Sequence, residues 1–194
     1  MAQPSRWRAA LAASVSAALL AASAPASAQA PAERSFSLGA SAGVLFPGTV
    51  TIEDVDWDTG TGFQGRIAAD FFLGNRLSMG PYLQFASTSL TELDYGVSML
   101  GIGGTIMGHF GNVSGGHFRA GIALGYQMSD IDAPGGEDVT GFGVGPILEY
   151  AHPVGGASIF GHLSFITQPS GGNTNVDVTW GPIFTLAIGA EFGR

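Results

Sequence analysis

The sequence predicts an all-β chain, closed as an eight-stranded antiparallel up-and-down transmembrane β-barrel. Three observations carry that expectation. Apolar residues alternate with small or polar ones at period two over eight segments of the 194 residues. The connections between these segments alternate between short and long. Glycine is abundant at 31 residues, whereas only 7 basic and 15 acidic residues occur. The same composition excludes several classes. A hydrophobic content of 45% excludes a disordered chain, and glycine without a triplet period excludes collagen. The absence of cysteine removes disulfides, a thiolate nucleophile and cysteine-ligated metal. A formal charge of −8 argues against nucleic acid as a partner.

The N-terminus reads as an export signal. Arg6 and Arg8 supply a positive start, Ala9 to Ala22 an apolar run, and Ala26-Ser27-Ala28 an A-x-A cleavage signature. Cleavage after Ala28 divides the chain into a signal peptide, 1–28, and a barrel domain, 29–194. The exported chain then keeps five arginines against 15 acids, a formal charge of −10.

The first strand, 35–46, sets Phe36, Leu38, Ala40, Ala42, Val44 and Phe46 against Ser35, Ser37, Gly39, Ser41, Gly43 and Leu45. In the second, 61–73, Phe63, Ile67, Ala69, Phe71 and Leu73 oppose Gln64, Arg66, Ala68 and Asp70. A helix would mix these sets on one face. The third and fourth are 77–88 and 97–110. The fifth, 117–128, alternates Phe118, Ala120, Ile122, Leu124, Tyr126 and Met128 with Arg119, Gly121, Ala123, Gly125 and Gln127. The sixth and seventh are 139–152 and 158–168. The eighth, 178–192, places Val178, Trp180, Phe184, Leu186, Ile188 and Phe192 on its apolar face. In the fourth and seventh strands Met99, Met107, Phe160 and Ile166 fall on the otherwise polar side.

Short connections follow the second, fourth and sixth strands, at 74–76, 111–116 and 153–157. Long ones follow the others, at 47–60, 89–96, 129–138 and 169–177. All five charges within the strands, Arg66, Asp70, Arg119, Glu149 and Glu191, lie opposite the large apolar residues. An arginine facing mid-bilayer would cost about 2–4 kcal/mol, so the apolar face is expected outside and the charges inside. A soluble barrel would be patterned the other way. Aromatics near strand ends, Trp180 among them, are expected to form interfacial girdles. Gly80-Pro81, Gly145-Pro146 and Gly181-Pro182 interrupt three strands, and each is expected to form a bulge, because proline gives the ladder no hydrogen bond.

The eight alternating segments, the Leu100-Gly101-Ile102-Gly103-Gly104 run and the closing Ile188-Gly189-Ala190-Glu191-Phe192 resemble the small eight-stranded outer-membrane β-barrels, the porin-family or opacity-like surface proteins. The resemblance implies outer-membrane localisation and a monomer among outer-membrane lipids and lipopolysaccharide. It also implies assembly by the barrel assembly machinery. Members usually end on an aromatic residue, whereas here Gly193 and Arg194 follow Phe192.

An eight-stranded lumen is filled by side chains, so no open pore is expected. Arg66, Asp70, Arg119, Glu149 and His162 are expected to form a paired polar network inside, with an ion path as the alternative. Eleven of the 15 carboxylates fall in the four long loops: Glu53, Asp54, Asp56, Asp58, Glu92, Asp94, Asp130, Asp132, Glu137, Asp138 and Asp177. Asp54-x-Asp56-x-Asp58 resembles the start of an EF-hand, but Gly65 stands where the bidentate glutamate belongs. No cofactor is expected beyond weak Ca²⁺ or Mg²⁺ binding by these loops. His162-x-Ser164 with Asp177 is similar to the catalytic set of outer-membrane lipid A deacylases, although Phe165 replaces that motif's asparagine. The functional expectation is a non-enzymatic surface protein with a structural or interaction role. A lipid A hydrolase and a small-solute channel are the alternatives, and an extracellular partner is left unidentified.

Overall fold

The computed structural model describes residues 35–93, 95–113, 115–132, 139–172 and 177–193. The expected signal peptide lies outside the described residues. Ten strands follow in chain order: β1 (Phe36–Leu45), β2 (Thr49–Ile52), β3 (Val55–Asp58), β4 (Gly62–Phe72), β5 (Leu77–Leu90), β6 (Tyr95–Val113), β7 (Gly116–Ile131), β8 (Val139–Val154), β9 (Ala157–Gly172) and β10 (Asp177–Gly193). The wall runs β1, β4, β5, β6, β7, β8, β9, β10, and β1 pairs antiparallel with β10 to close it. Closure removes the two edges that an open sheet would leave unpaired.

The period-two pattern translates directly into the two faces of this wall. Leu38, Phe71, Ile102, Ile122, Phe142 and Ile188 project outward and are exposed, while Ser37, Gln64, Arg119, Thr185 and Glu191 are buried inside. No charged residue among the described ones stands between the ends of the outer face. Met99, Met107 and Phe160 point inward as their register required, at 7%, 3% and 7% exposure. Bulky residues fit because glycines face them. A Cβ on Gly103 would run into the Tyr82 ring, one on Gly125 into the Tyr82 hydroxyl, and one on Gly189 into Phe160.

The first long connection is not a loop. β2 and β3 form a hairpin in the same register as β1 and β4, Thr49 opposite Asp58 continuing the frame of Leu45 opposite Gly62. The hairpin therefore carries the first two wall strands beyond the barrel, joined to them by Phe46–Gly48 on one arm and Thr59–Thr61 on the other. Its tip is a two-residue turn in which Glu53 and Asp54 both have positive φ, 49° and 64°. This is the type I′ geometry that matches strand twist, normally built from Asn-Gly. β2 also pairs with the start of β10, Val50 opposite Trp180.

Of the three Gly-Pro pairs, only the last is a bulge. Gly80-Pro81 and Gly145-Pro146 keep one register with their neighbours, Pro81 opposite Gly104 and Pro146 opposite Ile122. Both prolines face outward, and the missing N–H costs only a gap in pairing on the strand's other side. At Gly181-Pro182 the β9–β10 register shifts, and the extra residue reverses the inside-outside parity of β10. Val178 and Trp180, expected on the lipid face, consequently turn inward to 1% and 4% exposure. Trp180 is therefore no part of an interfacial girdle.

The other long connections are shorter than expected because their strands run on: β5 reaches Leu90, β6 starts at Tyr95, β7 reaches Ile131 and β9 reaches Gly172.

Candidate functional site in the barrel interior and at its acidic rim

The lumen is stratified. At the short-turn end Phe72, His109 and His117 face inward, Phe72 tilted at 51° to His109 with ring centroids 5.3 Å apart and His109 stacked on His117 at 5.8 Å. Nε2 of His109 lies 2.9 Å from the Ser78 hydroxyl.

Above them sits the ion cluster. Arg119 on β7 donates from Nη2 to Glu149 Oε2 on the adjacent β8 at 2.7 Å, and from Nη1 across the lumen to Glu191 Oε2 on β10 at 2.6 Å. Nδ1 of His162, on β9 directly opposite Glu149, donates to Oε1 of that glutamate at 2.7 Å. Arg66 reaches over from β4 to place Nη1 3.9 Å from the same oxygen. Arg66 Nη1 is also 3.4 Å from His162 Nδ1. A ring nitrogen that donates its proton to Glu149 cannot also accept, so this last approach is a packing contact. The guanidinium of Arg66 rides 4.9 Å from the Tyr82 centroid and that of Arg119 5.5 Å from Phe160.

Four of the five residues expected in the network thus come together, and the fifth, Asp70, lines the same cavity without an ion pair within 4 Å among the described residues. Glu191 completes the cluster. Its inward position was legible from the alternation, but its pairing with Arg119 is a contact across the barrel that no pattern along one strand reports. Two guanidiniums face three carboxylates, one negative charge in excess when His162 is neutral. Their shared cavity is about 20 Å³, room for a water.

Toward the long-loop end the lining becomes uncharged and then apolar. Gln64, Gln84, Gln127 and Thr185 surround a second cavity of about 10 Å³. Beyond it Leu45, Val50, Leu90, Val97, Met99 and Trp180 pack into a buried cluster, with Ile52 and Trp57 of the hairpin against it. This apolar cover was not anticipated. Its members are spread over β1, β2, β5, β6, β8 and β10, and two of them, Val178 and Trp180, depend on the parity reversal at Gly181-Pro182.

The acidic residues gather at that same end. Glu53, Asp54, Asp56 and Asp58 are exposed on the hairpin, as are Glu92, Asp130 and Asp132 on neighbouring strand ends. Glu137 and Asp138 lie outside the described residues. The likeness of Asp54, Asp56 and Asp58 to an EF-hand does not hold, because two of them sit on a β-strand instead of a winding loop. Asp56 accepts from Thr51 Oγ1 at 2.6 Å across the hairpin. Among the described residues no three His, Asp or Glu side chains converge as metal ligands.

His162 and Ser164 both face the lumen, at 1% and 4% exposure. His162 is committed to Glu149, and Ser164 Oγ has no hydrogen-bond partner among the described residues. The pair is thereby separated from the lipid-facing surface by the barrel wall.

A closed ring of eight strands, lipid-like outside and charged inside, has clear structural counterparts. The crystal structure of Neisserial surface protein A superimposes with a TM-score of 0.63 at 16% identity, over 82% of this chain and 97% of that one. The fold is that of the small outer-membrane β-barrels. A major outer membrane protein from Thermus thermophilus gives 0.53 at 12% identity, over 82% of this chain and 99% of that one. Ail, the attachment invasion locus protein of Yersinia pestis, gives 0.51 at 11% identity, over 80% and 98%. No protein-family model matches the chain, and no curated protein matches its sequence.

Proposed function

We propose that this chain is an integral outer-membrane protein of a Gram-negative-type envelope that acts through its exposed acidic rim, in a structural or adhesive role. The filled lumen carries this reading. An ion cluster tied across the barrel and an apolar cover fill the lumen, with cavities of about 20 and 10 Å³ among the described residues, which favours a surface role over solute passage or lipid hydrolysis. The outer compartment is supported by the outer-membrane origin of the structural counterparts, and a contact role by the name of one of them, an attachment invasion locus protein. Lipopolysaccharide bridged by divalent cations and extracellular proteins are the partners that an exposed, negatively charged rim suits.

Replacing Glu53, Asp54, Asp56 and Asp58 by their amides, with the hairpin retained, tests the role. The expected result is reduced surface binding or detergent resistance of cells expressing the chain. Unchanged values for both would refute it. Stepwise single-channel currents in planar bilayers, or altered lipid A in expressing cells, would restore the channel or hydrolase alternative.

A further inference from the structure

Between the ion cluster and the apolar cover lies a layer of uncharged polar groups, two of which are left unsatisfied among the described residues. Both amide atoms of Gln64 and Oγ1 of Thr185 lack hydrogen-bond partners among the described residues. These side chains are 1% and 0% exposed. They face a cavity of about 10 Å³ that Leu45, Ala86, Met99 and Ile183 also line, Ala86 directly beside Gln64 and Leu45 directly beside Thr185. Buried amides and hydroxyls are ordinarily paired, and orphaned polar groups set among apolar neighbours have the chemistry of a site for a molecule with a polar head and an apolar body. In the closed form the space suffices for a water at most.

The cover above this layer rests largely on one element. The β2–β3 hairpin joins the wall by three residue pairs to β10, by the Thr59–Leu90 bridge, and by hydrogen bonds that the Thr91 N–H and hydroxyl donate to the Asp58 carbonyl at 2.9 and 3.1 Å. Its arms connect to the wall through Phe46–Gly48 and Thr59–Thr61, and Gly181 lies so near that a Cβ there would sit 2.7 Å from the Thr49 carbonyl oxygen. Displacing the hairpin removes Val50, Ile52 and Trp57 from the apolar cluster and opens the lumen from the loop end.

We propose that the upper lumen is a lidded binding site for a slim, uncharged amphiphile such as a short alkanol. Its hydroxyl meets Gln64 and Thr185, its alkyl chain replaces the hairpin's contacts with Leu45 and Met99, and the β2–β3 hairpin is the lid. The head is uncharged because the adjoining cluster carries three carboxylates, Asp70, Glu149 and Glu191, against two guanidiniums, which opposes an anion. The layer itself holds no carboxylate to retain a cation.

The test uses the protein folded in lipid nanodiscs, with 1-hexanol and hexanoate as probes, read by tryptophan emission and by the Gln64 side-chain amide resonance. A saturable response to hexanol, at least tenfold weaker for hexanoate, is expected. Gln64→Leu with Thr185→Val should fold as well as the parent and bind hexanol at least tenfold more weakly. A Thr51→Cys/Thr179→Cys pair, placed opposite one another in a chain without native cysteine, should abolish binding when oxidised and regain it on reduction. No saturable response, equal binding of hexanoate, or binding indifferent to either variant would overturn the proposal. Water occupying the cavity with no response to hexanol would do the same. These readouts are independent of surface binding, so this site and the acidic-rim reading fail separately.

Discussion

Arg119→Met is the perturbation that bears hardest on the lumen. The guanidinium is 2% exposed and holds two carboxylates, Glu149 at 2.7 Å and Glu191 at 2.6 Å. Its removal leaves one guanidinium, that of Arg66, to face three carboxylates. Glu149 keeps His162 at 2.7 Å, but Arg66 stands 3.9 Å away and offers it little. Stranding a buried charge costs about 3–5 kcal/mol, more than forming the pair contributes, because desolvation is no longer offset. Glu191→Gln removes a charge and keeps an acceptor for Arg119, so about 1–2 kcal/mol is expected. The double variant should cost less than the two singles together by about 1–3 kcal/mol, since the amide at 191 no longer needs Arg119. Urea unfolding in lipid vesicles, followed by tryptophan emission and by the heat-modifiable band on unboiled gels, measures all three. A loss below about 1 kcal/mol for Arg119→Met, or strict additivity, would refute the argument that the cluster is a coupled unit holding β7, β8 and β10 together.

Other expectations follow from the same geometry. Ile188, the most exposed large apolar side chain at 67%, should tolerate Val, whereas Ile188→Arg should cost about 2–4 kcal/mol and lower the yield of folded barrel in the same vesicles. Gly125→Val should cost about 1–3 kcal/mol by driving a side chain into the Tyr82 hydroxyl and the Ile102 carbonyl, and Tyr82→Ala should relieve only the first of these. Glu53→Asn with Asp54→Gly should stabilise the hairpin by about 1 kcal/mol, because the positive φ values there favour that pair; slower amide exchange across β2 and β3 would register it. Trp180 should emit at shorter wavelength than Trp57, and a water-exposed spectrum from a Trp57→Phe variant would contradict the inward turn of β10.

What was legible along the chain follows from what a strand can report. Period-two alternation records which side of a sheet a residue occupies, and it survives as long as pairing is regular. It therefore placed Arg66, Asp70, Arg119, Glu149, His162 and Ser164 inside, and Met107 and Phe160 inside despite their apolarity. It failed where pairing is irregular. One extra residue at Gly181-Pro182 reverses the parity of Val178 and Trp180, and nothing in that dipeptide distinguishes it from Gly80-Pro81 or Gly145-Pro146, which leave the register intact. The β2–β3 hairpin was read as a loop because its strands are four residues each and its turn is Glu-Asp, without the glycine that usually marks a type I′ turn.

The sequence by itself determined the class of fold, the outward apolar face and the inward charges, because alternation and the penalty on charge in lipid act locally, residue by residue. Which inward groups meet is set by the barrel as a whole. Arg119 and Glu191 are 72 residues apart and face one another across the lumen, and the cover joins residues from six strands. Such contacts depend on how far each strand is shifted against the next around the closed ring, a quantity that belongs to the whole barrel and to no single segment of it.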